Sequence, residues 1–341
     1  MNPPRVSERD YIDFLVATPK VASACEAARC QPDDPEAPAH DAFSRLLARL
    51  EPDPETVWNE VRPLLRGGES ILIVDDTVLD KPYARKMGLV GKFWSGKHKR
   101  VVRGINLVTL AWSDGDGVYP TDYRLVDPAE IDKKNKNEHF REMLVTAEAR
   151  GLKPRYICFD SWYSGKENLK AIRGHGWHFL TQVRSNRRMN LDRTGNQPIA
   201  ELPIAASGTV VHLEGFGLVK AFRIAAPDGH TEHWITDDLT MGDATRLKYS
   251  EWSWSIEEYH RGLKLFPEVE RCPATRARSQ RNHIGMALRA FLLLEWHRVK
   301  QGMDFPTKNG RAVKDVRNIR TPPGRRTPAM SVDGYGCRTL R

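Results

Sequence analysis

The sequence predicts an α/β protein: a mixed sheet flanked by helices, with an all-β insertion and a helical N-terminal part. Ile71-Leu72-Ile73-Val74-Asp75 and Tyr156-Ile157-Cys158-Phe159-Asp160 are continuous apolar runs, the pattern of strands buried on both faces, and each ends in an aspartate. Helical periodicity surrounds them. From Asn190 to Asp238 that periodicity gives way to short β-type runs.

In chain order, residues 5–68 read as helical, with apolar positions at Tyr11, Ile12, Phe14, Leu15 and Val16 and again at Phe43, Leu46, Leu47 and Leu50. The loop from Gln31 to Pro38 interrupts them, and Gly67-Gly68 separates them from the first buried run. Arg103–Trp112 and Val118–Leu125 read as antiparallel strands around the turn Ser113–Gly117. Asn137–Arg150 reads as a helix stopped by Gly151; a helix over Lys166–Arg173 and a strand over Trp177–Val183 follow the second aspartate. The β-rich stretch contains Val210–Leu213, Val219–Ile224 and His233–Thr236, with a turn at Asp228-Gly229. Two helices close the pattern. The first, around Ser253–Lys264, carries Glu257, His260, Arg261 and Lys264 on one face and Ile256, Tyr259, Leu263 and Phe266 on the neighbouring stripe. The second, Arg278–Val299, turns Ile284, Leu288, Phe291, Leu292 and Val299 inward. The resulting division is a helical part over 1–68, a core over 69–190 and 246–303, a β insertion over 191–245 and a basic tail over 304–341.

Composition narrows the class. With 341 residues, 28% charged and 40% hydrophobic, the chain suits a soluble globular protein and excludes collagen-like and disordered classes. No run approaches the ~18 apolar residues a membrane span needs, and Met1–Asp13 lacks an apolar core, so a cytoplasmic location is expected. Five scattered cysteines make no disulfide framework, and Cys25, Cys30 and His40 lack a fourth zinc ligand at finger-like spacing. Net charge is +9, which favours a polyanionic partner. From Asp304 to Arg341 there are nine Lys or Arg against three Asp, so most of the excess lies in the tail.

Gly91–His98 imitates a phosphate loop, but it ends in His98 where Ser or Thr is required and leads into a strand. The stretch still gathers Lys92, Lys97, Lys99, Arg100 and Arg103 with Trp94 and His98, a mixture suited to a phosphate backbone or to a solvated basic loop. Asp75, Asp160 and Glu257 form the chemically decisive set. Two carboxylates about 4 Å apart repel by roughly 4 kcal/mol at an effective dielectric near 20, so three together call for a divalent cation. All-oxygen ligands favour Mg²⁺ or Mn²⁺.

Val74-Asp75-Asp76-Thr77, Phe159-Asp160-Ser161-Trp162-Tyr163-Ser164 and Trp254-Ser255-Ile256-Glu257-Glu258-Tyr259-His260-Arg261-Gly262-Leu263-Lys264 resemble the DDE transposases of bacterial insertion sequences, class four and its branch seven-oh-one. The likeness runs from about Ser7 to Gly302. It implies a ribonuclease-H-like core and DNA binding by the 1–68 part. It also implies metal-dependent cleavage at element ends with strand transfer into target DNA, two Mg²⁺ or Mn²⁺ ions, and a homodimer on paired double-stranded ends. By the same resemblance Asp75, with Asp76 as its rival, Asp160 and Glu257 are the catalytic metal ligands, and Lys264 contacts DNA phosphate. The family's tyrosine and arginine, seven and four residues before the glutamate, are here Ser250 and Ser253, so His260 and Arg261 are the substitutes; Lys97, Lys99 and Arg100 join them as DNA contacts. Trp234 is the candidate for stabilising a flipped base, with a core position as its alternative. Two other readings stay open: a nuclease without strand transfer, and an inactive DNA-binding remnant.

Overall fold

The structure, a computed structural model, describes residues 4–18, 21–31, 35–129, 134–193, 195–225, 229 and 231–302. Four helices open the chain: α1 (Glu8–Ala17), α2 (Ala24–Arg29), α3 (His40–Arg49) and α4 (Glu55–Val61). α1 starts where its sequence says it should, since Ser7 and Asp10 exchange side-chain and backbone hydrogen bonds in a capping box. Then come β1 (Ile71–Asp80), β2 (Gly91–Ser95), β3 (Arg100–Ser113), β4 (Val118–Val126), α5 (Lys136–Ala149), β5 (Tyr156–Phe159), α6 (Lys166–Gly174) and β6 (His178–Val183). The remaining elements are β7 (Arg188–Met189), β8 (Gln197–Pro198), β9 (Thr209–Leu213), β10 (Gly217–Ala225), β11 (Thr231–Thr236), α7 (Asp243–Ser253), α8 (Ser255–Leu265) and α9 (Ala277–Gln301).

Nine strands form one mixed sheet in the order β2-β3-β1-β5-β6-β11-β10-β9, with β4 also on β3. Its centre is parallel, β1 beside β5 and β5 beside β6, and both flanks are antiparallel. The predicted α/β class therefore holds. The central strands are sequestered as their apolar runs require: Ile71–Val74 and Tyr156–Phe159 are all buried.

The structure departs from the sequence reading at β1. The apolar run suggests a strand ending at Asp75, yet β1 continues to Asp80 because its pairing with β3 persists from Ile71↔Ser113 to Asp80↔Gly104. Gly104 is needed for that approach, since a Cβ there would lie 2.5 Å from the Leu79 carbonyl oxygen. Asp75 is consequently mid-strand; what stops at its position is the parallel pairing, whose last partners are Val74 and Phe159. A second difference concerns the β-rich stretch. β11 pairs with β6, so β9–β11 lengthen the main sheet, while β7 and β8 make a small sheet of their own.

The N-terminal helices share the core of the sheet. Tyr11, Leu15, Phe43 and Leu46 belong to one buried cluster with Ile284, Leu288 and Phe291 of α9. Polar clamps inside this apolar contact fix its register. Asn282 Nδ2 donates to the carbonyls of Leu47 and Leu50 at 2.9 and 2.8 Å, and the Arg289 guanidinium is held by Glu8 and Glu60. α8 lies over β1 through His260 and Lys264 and packs on α9 through Tyr259, whose ring meets Phe291 edge-on with centroids 5.0 Å apart. Among the described residues, no helix is long and apolar enough to cross a membrane. The basic tail over 304–341 and Asp228 of the expected turn lie outside the described residues.

Candidate active site

β1 and β5 end their parallel pairing side by side, which sets Asp75 next to Asp160, the residue just after β5. The Asp160 backbone turns sharply there: Asp160 Oδ1 accepts the Trp162 N–H at 2.9 Å. Asp160 as a residue is exposed, yet the protein around its carboxyl withholds water from it. Desolvation first, and the charge of Asp75 second, push it from 3.8 up to about 7. On the α8 side of Asp75 lies the buried His260 ring, whose Nδ1 is 3.5 Å from Asp75 Oδ2.

Asp76 lives in different surroundings. Lys136 Nζ reaches its two carboxylate oxygens at 2.8 and 2.7 Å, Asn106 Nδ2 donates to Oδ2 at 2.7 Å, and the Tyr163 hydroxyl donates to Oδ1 at 2.9 Å. The pleat explains the split, because adjacent residues of a strand face opposite sides. Asp76 points to the side where α5 supplies Lys136, and Asp75 to the side covered by α8. Sequence reading missed Lys136, Asn106 and Tyr163 as partners of this centre. A lysine at the first position of a helix after an Asn cap looks like an ordinary helix start, and nothing local marks its reach to β1.

α8 brings its predicted face down on β1. His260 meets Asp75, and one turn later Lys264 Nζ donates to the Val78 carbonyl at 2.9 Å and pairs with Glu270 at 3.0 Å. Glu257, one turn earlier, is exposed on the first turn of the helix. Among the described residues, no group of three His, Cys, Asp or Glu side chains is arranged to hold a metal ion. The structure therefore joins Asp75 and Asp160 and leaves Glu257 outside that pair. The donor chemistry of the pair fits a divalent cation: the two carboxylates are neighbours, among the described residues no lysine or arginine is bound to either, and burial first and the Asp75 charge second drive Asp160 toward protonation.

The other candidates are dispersed. Arg261, Lys99 and Arg100 are exposed, and Lys99 takes a left-handed backbone, φ 49°, in the β2–β3 turn. Lys97 sits 3.5 Å from Asp80, which also binds His98 at 2.8 Å. Trp234 is corrected to its alternative. It is buried in β11 between Gln182 of β6 and Phe222 of β10, with its indole N–H given to Glu232, so it offers no face to a base. Tyr249, out of register with the family tyrosine, is likewise buried and gives its hydroxyl to Glu69. Ser250 and Ser253 bond back to the Leu247 and Ser250 carbonyls of their own helix.

No curated protein matches the chain. Among solved structures, it is similar to a piggyBac transposase in a synaptic complex with hairpin DNA, at 13% identity and a TM-score of 0.49, covering 98% of this chain and 81% of that one. It is also similar to the NurA nuclease from Sulfolobus solfataricus, at 12% identity and a TM-score of 0.30, covering 78% of this chain and 94% of that one. Residues 11–201, which include Asp75 and Asp160 and stop short of Glu257, match the family described as DDE superfamily endonuclease. The chain belongs to the DDE superfamily endonucleases.

Proposed function

We propose that this protein is a transposase that cuts DNA at the ends of an insertion sequence and joins the freed 3′-hydroxyls to target DNA. One observation carries the reading. Asp75 and Asp160 are set together at the end of the parallel strands, at the cost of raising Asp160 to about 7, while the neighbouring Asp76 is neutralised by Lys136. Such an arrangement is unfavourable unless a cation joins it. Asp75 and Asp160 would hold Mg²⁺ or Mn²⁺, with Glu257 as the third carboxylate from α8. Two such ions supply Lewis acidity for in-line attack at phosphorus. The residues around them have their own tasks. Asp76, fixed by Lys136, Asn106 and Tyr163, holds β1 against α5 without drawing the cation away. The Trp162 N–H orients the Asp160 carboxylate. His260 supports Asp75 from α8. Exposed Arg261, Lys99 and Arg100 provide positive charge for the phosphates of double-stranded DNA, and the protein works on paired ends as a homodimer.

Asp75→Ala, Asp160→Ala and Glu257→Ala are each expected to abolish Mn²⁺-dependent nicking of DNA carrying the element's terminal repeats, with DNA binding retained. A variant that cuts like wild type removes its residue from the site. A donor-to-target joining assay separates a transposase from a nuclease without strand transfer. The position of Glu257 outside the carboxylate pair favours one second reading, a DNA-binding remnant without catalysis. DNA binding by the wild-type protein with no nicking in Mn²⁺ would support it.

A further inference from the structure

The β2–β3 ribbon has an outward face that the active-site chemistry does not use. Residues directly opposed in an antiparallel pair share a face, so the pairs Lys92↔Arg103 and Trp94↔Val101 place these four side chains together. All four are exposed, Trp94 at 54% and Val101 at 58%, whereas Phe93 and Val102 between them are half-buried against the protein. Among the described residues, Lys92 and Arg103 have no carboxylate partner. The turn at the end of the ribbon differs: Lys97 and His98 are both tied to Asp80, which anchors the ribbon to the far end of β1.

We propose that this face binds single-stranded DNA, with Trp94 stacking on one unpaired base, Val101 widening the apolar platform, and the adjoining Lys92 and Arg103, opposed across the ribbon, holding the backbone phosphates next to that base. An exposed tryptophan beside two cations that have no carboxylate partner among the described residues has the composition of a strand-tracking surface, where aromatic rings take bases and basic residues take the backbone. Base-paired DNA offers its π-faces only at ends or at disrupted pairs, so the stack selects unpaired bases. The proposal rests on the reading of the chain as a DNA-cutting protein, and adds which form of DNA the ribbon engages.

The test uses the full chain in EDTA with a short single strand carrying one 2-aminopurine, and the same sequence as a duplex. Wild type and Trp94→Phe are expected to quench the 2-aminopurine on binding. Trp94→Ala is expected to lose the quench and to bind the single strand about tenfold more weakly, with duplex affinity changed less than about twofold. Lys92→Ala and Arg103→Ala should each reduce the salt slope of single-strand binding by about 0.7. Undiminished quenching and affinity in Trp94→Ala would overturn the proposal, as would an equal loss on duplex. Nicking of DNA by wild type in Mn²⁺ separates the two claims. If nicking persists while Trp94→Ala still stacks, only the ribbon assignment fails. If stacking depends on Trp94 and nothing is nicked, only the cleavage reading fails.

Discussion

At Asp75 and Asp76 the pleat of β1 sends two neighbouring carboxylates into opposite environments, one toward Asp160 and His260 and the other onto Lys136, Asn106 and Tyr163. The sequence alone leaves the pair undecided, since both precede Thr77 and what separates them is the reach of a lysine 60 residues away. Exchanging the two substitutions should separate their roles. Asp76→Asn or Lys136→Ala is expected to lower unfolding stability by about 2–4 kcal/mol, since each leaves a largely buried charge without its partner, and to leave Mn²⁺ binding in place. Asp75→Asn should do the reverse; urea titration and Mn²⁺ titration read the two effects. Asp160 adds a pH signature. Its carboxyl sits at about 7 in the folded protein against 3.8 when free, so the folded state holds a proton that the unfolded state releases. Without metal, the stability this proton confers is complete below the free value and is lost as pH rises through about 7. Thermal unfolding in EDTA should therefore fall in temperature from pH 4 to pH 8 more steeply for wild type than for Asp160→Asn. Equal slopes would mean that Asp160 does not titrate in this window.

α8 shows how a legible element can still hide its function. The stripe of Ile256, Tyr259 and Leu263 is readable from spacing, and all three are buried as expected. The polar face is readable as a pattern, but its partners are not: His260 and Lys264 dock on β1 at Asp75 and Val78, while Glu257, one turn earlier, is exposed. That outcome depends on where a helix lies along a strand, a long-range quantity with no period in the sequence. α7 and β2 were missed for a related reason. α7 is a weakly patterned helix, and β2 is an edge strand with exposed alternate residues, stabilised by pairing with β3 rather than by burial. Tyr259 is the main packing anchor of α8, fully buried against Phe291. Tyr259→Ala is expected to cost about 3–5 kcal/mol in urea unfolding, as for other large buried aromatics. A cost below about 1 kcal/mol would show that α8 is held otherwise.

Across the whole molecule, the parts read separately from the sequence share one core. The alternation of buried runs and helices gives the α/β class and the neighbouring parallel strands β1 and β5, because burial on both faces leaves a continuous apolar run. Strand order is less accessible: β9–β11 join the sheet through β6, and the N-terminal helices seat on α9 through Tyr11, Asn282 and Arg289, contacts made between residues hundreds of positions apart. Both flanks thus brace the central strands that carry the aspartates. The central claim is that these aspartates, at the end of the parallel pair, form the cation-binding heart of a DNA-cutting enzyme. Electron paramagnetic resonance of free Mn²⁺ at pH 8 tests it most directly. Wild type is expected to remove Mn²⁺ from the free pool, and Asp75→Ala and Asp160→Ala to leave it there; either variant withdrawing as much Mn²⁺ as wild type would contradict the claim.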